Sequence, residues 1–220
     1  MGIQLDFAAV LERWPSFLGG AVLTLELALF ATVFGALLGT LAAVGRGAHR
    51  GLIPGACKVY VEAIRNTPLI VQLFLIFFGL PSAGVKFDAD TAALIALSIN
   101  LGAYSVEIIR AGLEAIPHSQ IEAGQSLGLS RLQIFRYIVV FPALKLMYPA
   151  LASQFVLLML ATSVVSQISA QDLFHAASIV QSRTFRDFEV YVLVAAAYLA
   201  LALLFRAAFA GLYWIAFARR

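Results

Sequence analysis

Residues 119–142 read SQIEAGQSLGLSRLQIFRYIVVFP and form the one long polar stretch of the chain, with apolar stretches on both sides. Two helix-start patterns follow each other within it, Ser119 with Glu122 and Ser130 with Gln133. In such a pattern the hydroxyl accepts a hydrogen bond from a free N–H of the first turn, and the residue three positions later reaches back. The stretch therefore predicts two helices in close succession.

Gly128 lies between the two patterns, and glycine tolerates the positive φ that commonly ends a helix. We expect a short helix over 120–127, a corner at Gly128 and a second helix from Arg131. Ala123 and Gly124 leave one side of the first helix nearly bare, so another chain's backbone could approach it closely. A compact hairpin of this kind suits a docking element.

Composition places the whole chain in a membrane. Hydrophobic residues make up 62% of the 220, charged residues 12%, and the mean hydropathy is +0.92. Soluble domains carry about a quarter charged residues, so we expect a polytopic membrane protein. A net charge of +3 is too small to indicate a nucleic-acid partner. The single cysteine, Cys57, excludes an internal disulfide framework, and the histidines lack metal-ligand spacing, so no metal site is predicted.

Hydropathy predicts an all-α integral membrane fold forming a single domain over 1–220. About 20 residues cross a bilayer, and four apolar runs reach that length, whereas the run 69–80 reaches it only if its helix begins near Val59 and includes Glu62 and Arg65. The predicted spans are 17–44, 59–80, 91–109, 146–170 and 190–217. Residues 1–16 carry apolar side chains at helical spacing up to Pro15, which predicts a segment in the membrane interface without a cleavable signal peptide. We interpret 172–189 as a polar loop.

Orientation follows from the distribution of Lys and Arg, which favour the cytoplasmic side. With the hairpin on that side, nine lie there: Arg46, Arg50, Lys58, Arg110, Arg131, Arg136, Lys145, Arg219 and Arg220. Four lie on the other side: Arg13, Lys86, Arg183 and Arg186. The count predicts an external N-terminus, a cytoplasmic C-terminus and a cytoplasmic hairpin over 119–141.

The hairpin has three interpretations. A DNA-reading helix-turn-helix would need a more basic second helix that is free to enter a groove. An inert interfacial loop would need neither capped helices nor a small-residue face. The third is a docking element, and Glu122-Ala123-Gly124-x-x-x-Gly128 resembles the EAA motif of ABC-importer permeases, in which a cytoplasmic coupling helix fits a groove of the ATPase subunit. Glu122 also suits the role of capping acid, and both roles can hold together.

The resemblance to permeases of the polar amino acid uptake family covers most of residues 20–215. Its further motifs, in family order, are Glu62-x-x-Arg65-Asn66-Thr67-Pro68-Leu69, Gly102-Ala103-Tyr104-x-x-Glu107-x-x-Arg110-Ala111-Gly112, and Thr162-Ser163-x-x-Ser166 followed by Asp172-Leu173. Pro142 stands one residue later than in the commonest pattern. The resemblance implies a non-catalytic permease that forms the translocation pathway by alternating access.

The same resemblance implies the partners. They are two ABC ATPase subunits, a second permease subunit (identical or paralogous) and an external or periplasmic amino acid-binding protein, in a bacterial inner membrane. The chain itself contains no G-x-x-x-x-G-K-[ST] run, so we expect it to bind no cofactor and ATP to be held by the ATPase subunits.

Two Glu-x-x-Arg pairs, Glu62/Arg65 and Glu107/Arg110, have the i,i+3 spacing that allows contact on one helix face. They are either ordinary snorkelling charges or a charged cluster at the inner mouth of the pathway. Pro68 leaves the carbonyl of Ile64 without its helical donor, which predicts a kink that either lines the pathway or packs between helices.

Uncharged polar side chains near mid-span are candidates for contact with the substrate, although such groups often only bridge helices. The candidates are Gln72, Asn100, Gln154, Thr162 and Ser163. Two other functions stay open from the residues alone. Inverted repeats or intramembrane carboxylates would indicate an ion-gradient-driven transporter or channel, and neither is evident in the sequence. A membrane scaffold would use the hairpin only to recruit a soluble partner.

Overall fold

The computed structural model describes residues 5–48 and 51–217, and in these ranges it contains helices and turns without a β-strand. The helices are α1 (Ala8–Leu11), α2 (Trp14–Arg46), α3 (Ile53–Arg65), α4 (Leu69–Ala83), α5 (Ala89–Glu114), α6 (His118–Ser126), α7 (Arg131–Ile168), α8 (Leu173–Thr184) and α9 (Asp187–Phe217). The predicted all-α membrane fold is confirmed. Three of the nine basic residues assigned to the cytoplasmic side, Arg50, Arg219 and Arg220, lie outside the described ranges.

Four of these helices, α2, α5, α7 and α9, are long and apolar enough to cross a membrane. The consecutive helices α3 and α4 make up a fifth candidate if they form one broken span. The count of five spans therefore stays a prediction, because it depends on how this pair lies in the bilayer.

Helix α5 lies at the centre of the bundle and packs most closely against α2. Small residues permit the close approach, since a Cβ on Gly39 would lie 2.5 Å from Cβ of Ser105 and 2.9 Å from the carbonyl oxygen of Gly102. Farther along the same contact, Leu97 and Leu101 are fully buried. Because lipid tails are as apolar as leucine, these side chains stabilise a bundle in the membrane by close packing rather than by removal from water. The α2–α5 pair is thus the rigid part of the fold.

The helix predicted for the second span over 59–80 is broken rather than only kinked. The helix stops at Arg65, resumes at Leu69, and the two parts are bent by 109°. Pro68 has no N–H to donate to Ile64, and its ψ of 141° is extended rather than helical. The kink expected at this proline is therefore a complete break.

Helix α7 unites two elements that we predicted as separate helices. The second helix of the hairpin and the predicted fourth span (146–170) are one helix over Arg131–Ile168. Pro142 removes a backbone donor in the first third of this helix, and a wide π-helical turn, Ile134–Val140, ends two residues before this proline. A π turn shifts the hydrogen-bond register, so the helix passes the proline without breaking.

Two further expectations are corrected at the end of the bundle opposite α6. The predicted loop 172–189 contains the helix α8, whose first N–H groups bond to the Asp172 carboxylate. Pro15 does not end the N-terminal segment but occupies the first turn of α2. In the described part of that segment, Val10 is fully buried against α8 and α9, whereas Leu11 and Trp14 are exposed, so the location of the segment in the membrane interface stays a prediction.

Candidate coupling and translocation site

The polar hairpin forms a bent pair of helices, which we call the elbow and define as α6, the corner 127–130 and the first turns of α7. Its first helix starts two residues earlier than predicted, because Pro117, with extended ψ, is the N-cap. Ser119 therefore lies inside the first turn and makes no capping bond, so the predicted Ser119–Glu122 box is wrong.

The second capping box of the elbow is present. The Ser130 hydroxyl accepts a hydrogen bond from the backbone N–H of Gln133 at 3.4 Å, and the Gln133 side-chain oxygen accepts from the Ser130 N–H at 2.8 Å. Gly128 has φ +75°, as its position at the corner required. The corner is thus fixed by local chemistry that the sequence displays.

The small face of α6 is closed by the protein itself. A Cβ on Gly124 would lie 2.5 Å from Cδ1 of Ile138 and 3.2 Å from Cγ1 of Ile134, so the absent side chain lets α6 pack on α7. Glu122 and Ala123 are exposed. Of the predicted coupling residues, these two face outward, whereas Gly124 and Gly128 shape the elbow.

The structure adds two residues to the outer surface of the elbow that sequence reasoning missed. Leu127 is 80% exposed and Leu132 is 75% exposed, on either side of the corner. Apolar residues flanking a glycine in an otherwise polar stretch were the available signal. Large apolar side chains at such exposure indicate a contact surface when they cluster.

A network of charges ties the end of α2 to the end of α5, directly before the elbow. Glu107 forms ion pairs with Arg46 and with Arg110, the latter at 3.2 Å. Arg110 continues to Glu114 at 2.6 Å. The Glu107/Arg110 contact expected from spacing is therefore present, and Arg46 and Glu114 complete it.

Glu62 and Arg65 do not join this network. In the described part of the chain they form no ion pair with each other, and Glu62 instead accepts a hydrogen bond from Asn66 at 3.2 Å. The Arg65 guanidinium lies 5.5 Å from the ring centroid of Tyr104 on α5. The four predicted charges thus lie in two separate places.

Side chains satisfy the carbonyl oxygens that the break between α3 and α4 leaves free, and Gln72 is the buried one among them. The Gln72 amide donates to the carbonyl oxygen of Ile64 at 2.8 Å and to that of Thr67 at 3.0 Å, so it replaces the donor that Pro68 lacks. Its oxygen accepts from the Asn100 amide at 3.0 Å. Gln72 and Asn100, both predicted pathway residues, therefore link the break to the middle of α5.

The other three predicted pathway residues belong to α7. Thr162 is fully buried and donates to the Met159 carbonyl oxygen at 2.7 Å, and Ser163 donates to that of Leu160 at 2.9 Å. Gln154 is half-buried and makes no hydrogen bond within the described ranges. The segment Thr162–Ile168 packs against α4, which brings Thr162 and Ser163 to the helix that carries Gln72.

A polar cavity of about 910 Å³ opens at the end of the bundle opposite the elbow. Acidic side chains, Asp88 and Asp90, line one part of it, and His175 and Arg183 line another. The hydrogen bond from Thr91 lowers the pKa of the Asp88 carboxyl, which keeps that group charged. This cavity can accept a ligand that carries both signs of charge.

Comparison with known proteins gives the family. Residues 35–215 match the family model "Binding-protein-dependent transport system inner membrane component". The chain is 36% identical over 183 residues to the L-cystine transport system permease protein TcyB of Bacillus subtilis (strain 168), covering 83% of this chain and 78% of that protein. It is 33% identical over 203 residues to the glutamine transport system permease protein GlnP of Escherichia coli (strain K12), covering 91% and 93%.

Among solved structures, the crystal structure of an amino acid ABC transporter with histidines superposes with a TM-score of 0.90 at 37% identity, over 96% of this chain and 99% of that one. An inward-facing structure of the MetNI methionine ABC transporter shares the fold, with a TM-score of 0.64 at 20% identity over 98% and 99%. These matches favour a permease over an ion-driven carrier or a channel.

The matches also confirm the prediction of a non-catalytic transport subunit in a multi-pass membrane protein, with ATP hydrolysis on a separate chain. The bundle of apolar helices, the elbow and the sequence relationship all agree. The chain belongs to the family of inner membrane components of binding-protein-dependent transport systems.

Proposed function

We propose that this chain is the permease subunit of an ATP-driven importer for polar amino acids. It works in the bacterial inner membrane as one domain over 1–220 with five spans, an external N-terminus and a cytoplasmic C-terminus. Its partners are two ATPase subunits that hold ATP, a second permease subunit and an external amino acid-binding protein. The cystine and glutamine systems named among its relatives support polar amino acids as the substrate class.

Coupling to the ATPase rests on the shape of the elbow. Glu122, Ala123, Leu127 and Leu132 form its outward surface, and a groove on the ATPase receives them. Movement of that surface reaches the membrane because α7 continues from Arg131 to Ile168 without a break. The elbow is thus a two-state element that ATP binding biases, the kind of element through which distant sites are coupled.

The charge network beside the elbow holds α2 and α5 together on the cytoplasmic side. Arg46 and Glu107 have side chains only 23% and 21% exposed, so their attraction is screened less than that of a surface pair. We infer that this contact closes the inner mouth and rearranges when the pathway opens inward.

The translocation pathway runs past the break between α3 and α4. Arg65, Asn66 and Thr67 are exposed there, beside Tyr104 and Asn100 in the middle portion of α5. Irregular backbone and charged groups at membrane depth are tolerated where they face protein or water rather than lipid. This observation carries the pathway assignment, and Glu62 lies on the same exposed surface.

Coupling is tested by placing a charge on the elbow. Leu127→Asp with Leu132→Asp should abolish substrate-stimulated ATP hydrolysis by the assembled transporter and lower copurification of the ATPase by at least about tenfold, since burial of two large apolar side chains is lost. The free energy of unfolding should change by less than about 0.5 kcal/mol, because both side chains are exposed in this chain.

The matched control is Leu52→Asp. Leu52 is 91% exposed and lies between α2 and α3, at the same end of the bundle as the elbow. This variant should hydrolyse ATP normally. Normal coupling in the elbow variant, or equal loss in both variants, would contradict the proposed docking surface.

The pathway assignment is tested by thiol accessibility in a Cys57→Ala background. Asn66→Cys should react with a water-soluble methanethiosulfonate reagent, because reaction requires thiolate and hence water. Leu37→Cys, on α2 and 57% exposed at an apolar surface, is the control and should react at least about tenfold more slowly. Equal rates of thiol modification at both positions would contradict the assignment of the pathway to the break.

A further inference from the structure

An aromatic groove lies on the outside of the bundle between α7 and α9. Its volume is about 370 Å³, and its lining includes Tyr148, Ser153, Phe209, Tyr213 and Trp214. The Tyr148 hydroxyl donates to the Phe209 carbonyl oxygen at 2.7 Å, and the rings of Tyr148 and Tyr213 lie 5.5 Å apart. The walls are therefore fixed by contacts within the protein.

The remaining feature of the groove is the cation Arg206. It is exposed, it lies in the interior of the apolar helix α9, and it makes no ion pair or hydrogen bond within the described ranges. A charged side chain inside a span is costly unless an anion or water reaches it. The charge of Arg206 thus needs either an anion or water from outside the described chain.

The position of Arg206 along α9 indicates how deep that partner lies. Trp214, also in the groove and 65% exposed, follows eight residues later, which is about 12 Å along the helix. Tryptophan favours the membrane interface, and arginine extends its side chain toward that interface. A phosphate at the headgroup level is therefore within reach of the guanidinium with modest thinning of the bilayer.

We propose that this groove binds an anionic phospholipid, with the phosphate at Arg206 and an acyl chain along the aromatic wall. The composition of the site matches this ligand, because one cation adjoins a long apolar surface. Basic pockets between transmembrane helices are suited to anionic headgroups. The orientation proposed above would place the lipid in the cytoplasmic leaflet, but binding itself does not depend on that orientation.

A second copy of the chain fits Arg206 less well. In the described parts of the four long helices, Glu26 is the carboxylate that lies in a span interior without an ion pair. Thr24 bonds Leu173 and Tyr198 bonds Asp172, so Thr24 and Tyr198 share one level. Glu26 is two residues beyond that level and Arg206 eight, so they differ by about 9 Å in depth. A two-fold axis along the membrane normal preserves this difference.

The test uses tryptophan fluorescence of the full chain in phosphatidylcholine vesicles. Trp14→Phe leaves Trp214 as the only tryptophan of the chain. Brominated phosphatidylglycerol should quench Trp214 with an apparent affinity about fivefold higher than brominated phosphatidylcholine with the same acyl chains, the preference expected from one arginine. Arg206→Gln should remove the preference, and Arg206→Lys should keep most of it.

The second tryptophan is the matched control. Trp214→Phe leaves Trp14, which lines a separate apolar groove of about 260 Å³ with Leu11, Phe17 and Leu18. Its lining contains no charged residue, so both lipids should quench it equally. Inorganic phosphate should not restore Trp214 fluorescence, because a free anion lacks the acyl chain.

Three outcomes would overturn the proposal. Absence of quenching by either lipid would show that protein covers the groove, and a preference that survives Arg206→Gln would assign it to other residues. Displacement by inorganic phosphate would indicate a site for free anions. If Arg206→Gln fails to insert into the vesicles, the salt dependence of the chain that keeps Arg206 replaces this test. The preference for phosphatidylglycerol should then disappear with rising salt, because salt screens an ion pair with the headgroup.

Discussion

Two of the interruptions between helices, at 66–68 and at the corner around Gly128, have opposite surroundings. At 66–68 the freed backbone carbonyls bond to Gln72, which is 6% exposed and tied to Asn100 on the central helix. At the corner around Gly128 the turn is closed by its own backbone and by the Ser130 cap, and Leu127 points into solvent. One break is supported by the rest of the fold, whereas the other depends on local chemistry alone.

The difference separates two kinds of functional backbone. A break inside the membrane needs internal partners for every freed polar group, because the lipid supplies none. A corner outside the membrane can obtain partners from water and can leave its side chains for another protein. We therefore expect substitutions at the two breaks to differ in what they damage, with stability affected at the first and docking at the second.

The largest effect on stability is expected at Gln72. Gln72→Met keeps the volume but removes the donor to Ile64 and the acceptor for Asn100, so buried polar groups lose their partners. The free energy of unfolding should fall by about 1–3 kcal/mol. Denaturant titration in detergent, followed by far-ultraviolet circular dichroism, measures it.

Gln154→Met is the matched control for this substitution. Gln154 is half-buried in α7 and makes no hydrogen bond within the described ranges, so the same change should cost less than about 0.5 kcal/mol. Equal losses for the two variants would show that Gln72 does not support the break.

A smaller effect is expected at the corner itself. Gly128→Ala places a Cβ at φ +75°, which should lower the stability of the elbow by about 1–2 kcal/mol even though no atom lies within 4 Å. Hydrogen exchange at the amides of α6 should rise, and exchange in α5 should not. Gly211→Ala, also in open space but at ordinary helical φ within α9, should be neutral or slightly stabilising. Increased exchange throughout the bundle would contradict an independent corner.

The smallest effect concerns pH, where buried and exposed aspartates again differ. Burial raises the pKa of the Asp172 carboxyl, which caps α8, whereas the bond from Thr91 lowers the pKa of Asp88, which caps α5. The contribution of Asp172 to stability is present below its unfolded pKa and is lost as pH rises through the folded value. The contribution of Asp88 is present above its unfolded pKa and is lost as pH falls through the folded value.

The measurement is the unfolding temperature of the parent chain, of Asp172→Asn and of Asp88→Asn across the acid range of pH. The difference between the parent chain and each variant should change with pH in opposite directions for the two variants. Parallel slopes would show that burial does not dominate at Asp172.

Local chemistry explains which parts of the site could be predicted from sequence. The Ser130–Gln133 box and the positive φ of Gly128 depend on neighbouring residues, and both were predicted correctly. The long helices were predicted correctly as well, because the length and apolar composition of a run are properties of neighbouring residues. The bend at Pro68 is larger than predicted. Its size depends on Gln72, which lies eight residues from Ile64, and on Asn100, which lies on another helix.

Other features had no local signal. Arg46 is 61 positions from Glu107, so only the packing of α2 on α5 reveals their contact. The prediction that another chain's backbone would approach the bare side of α6 is wrong at Gly124, because the side chains of Ile134 and Ile138 of the same chain lie against it. A small-residue face predicts contact without identifying the partner.

The wide turn Ile134–Val140 has a consequence for the angular relation between the two ends of α7. Each residue added to or removed from an α-helix rotates everything beyond it by about 100°. A π turn accommodates one extra residue, so it sets the azimuth of Thr162 and Ser163 relative to Leu132. Deleting a single residue within this turn would return it to α-helical geometry and keep the face that the membrane portion presents to α4, whereas the same deletion within Phe141–Ala161 would turn Thr162 and Ser163 by about 100°.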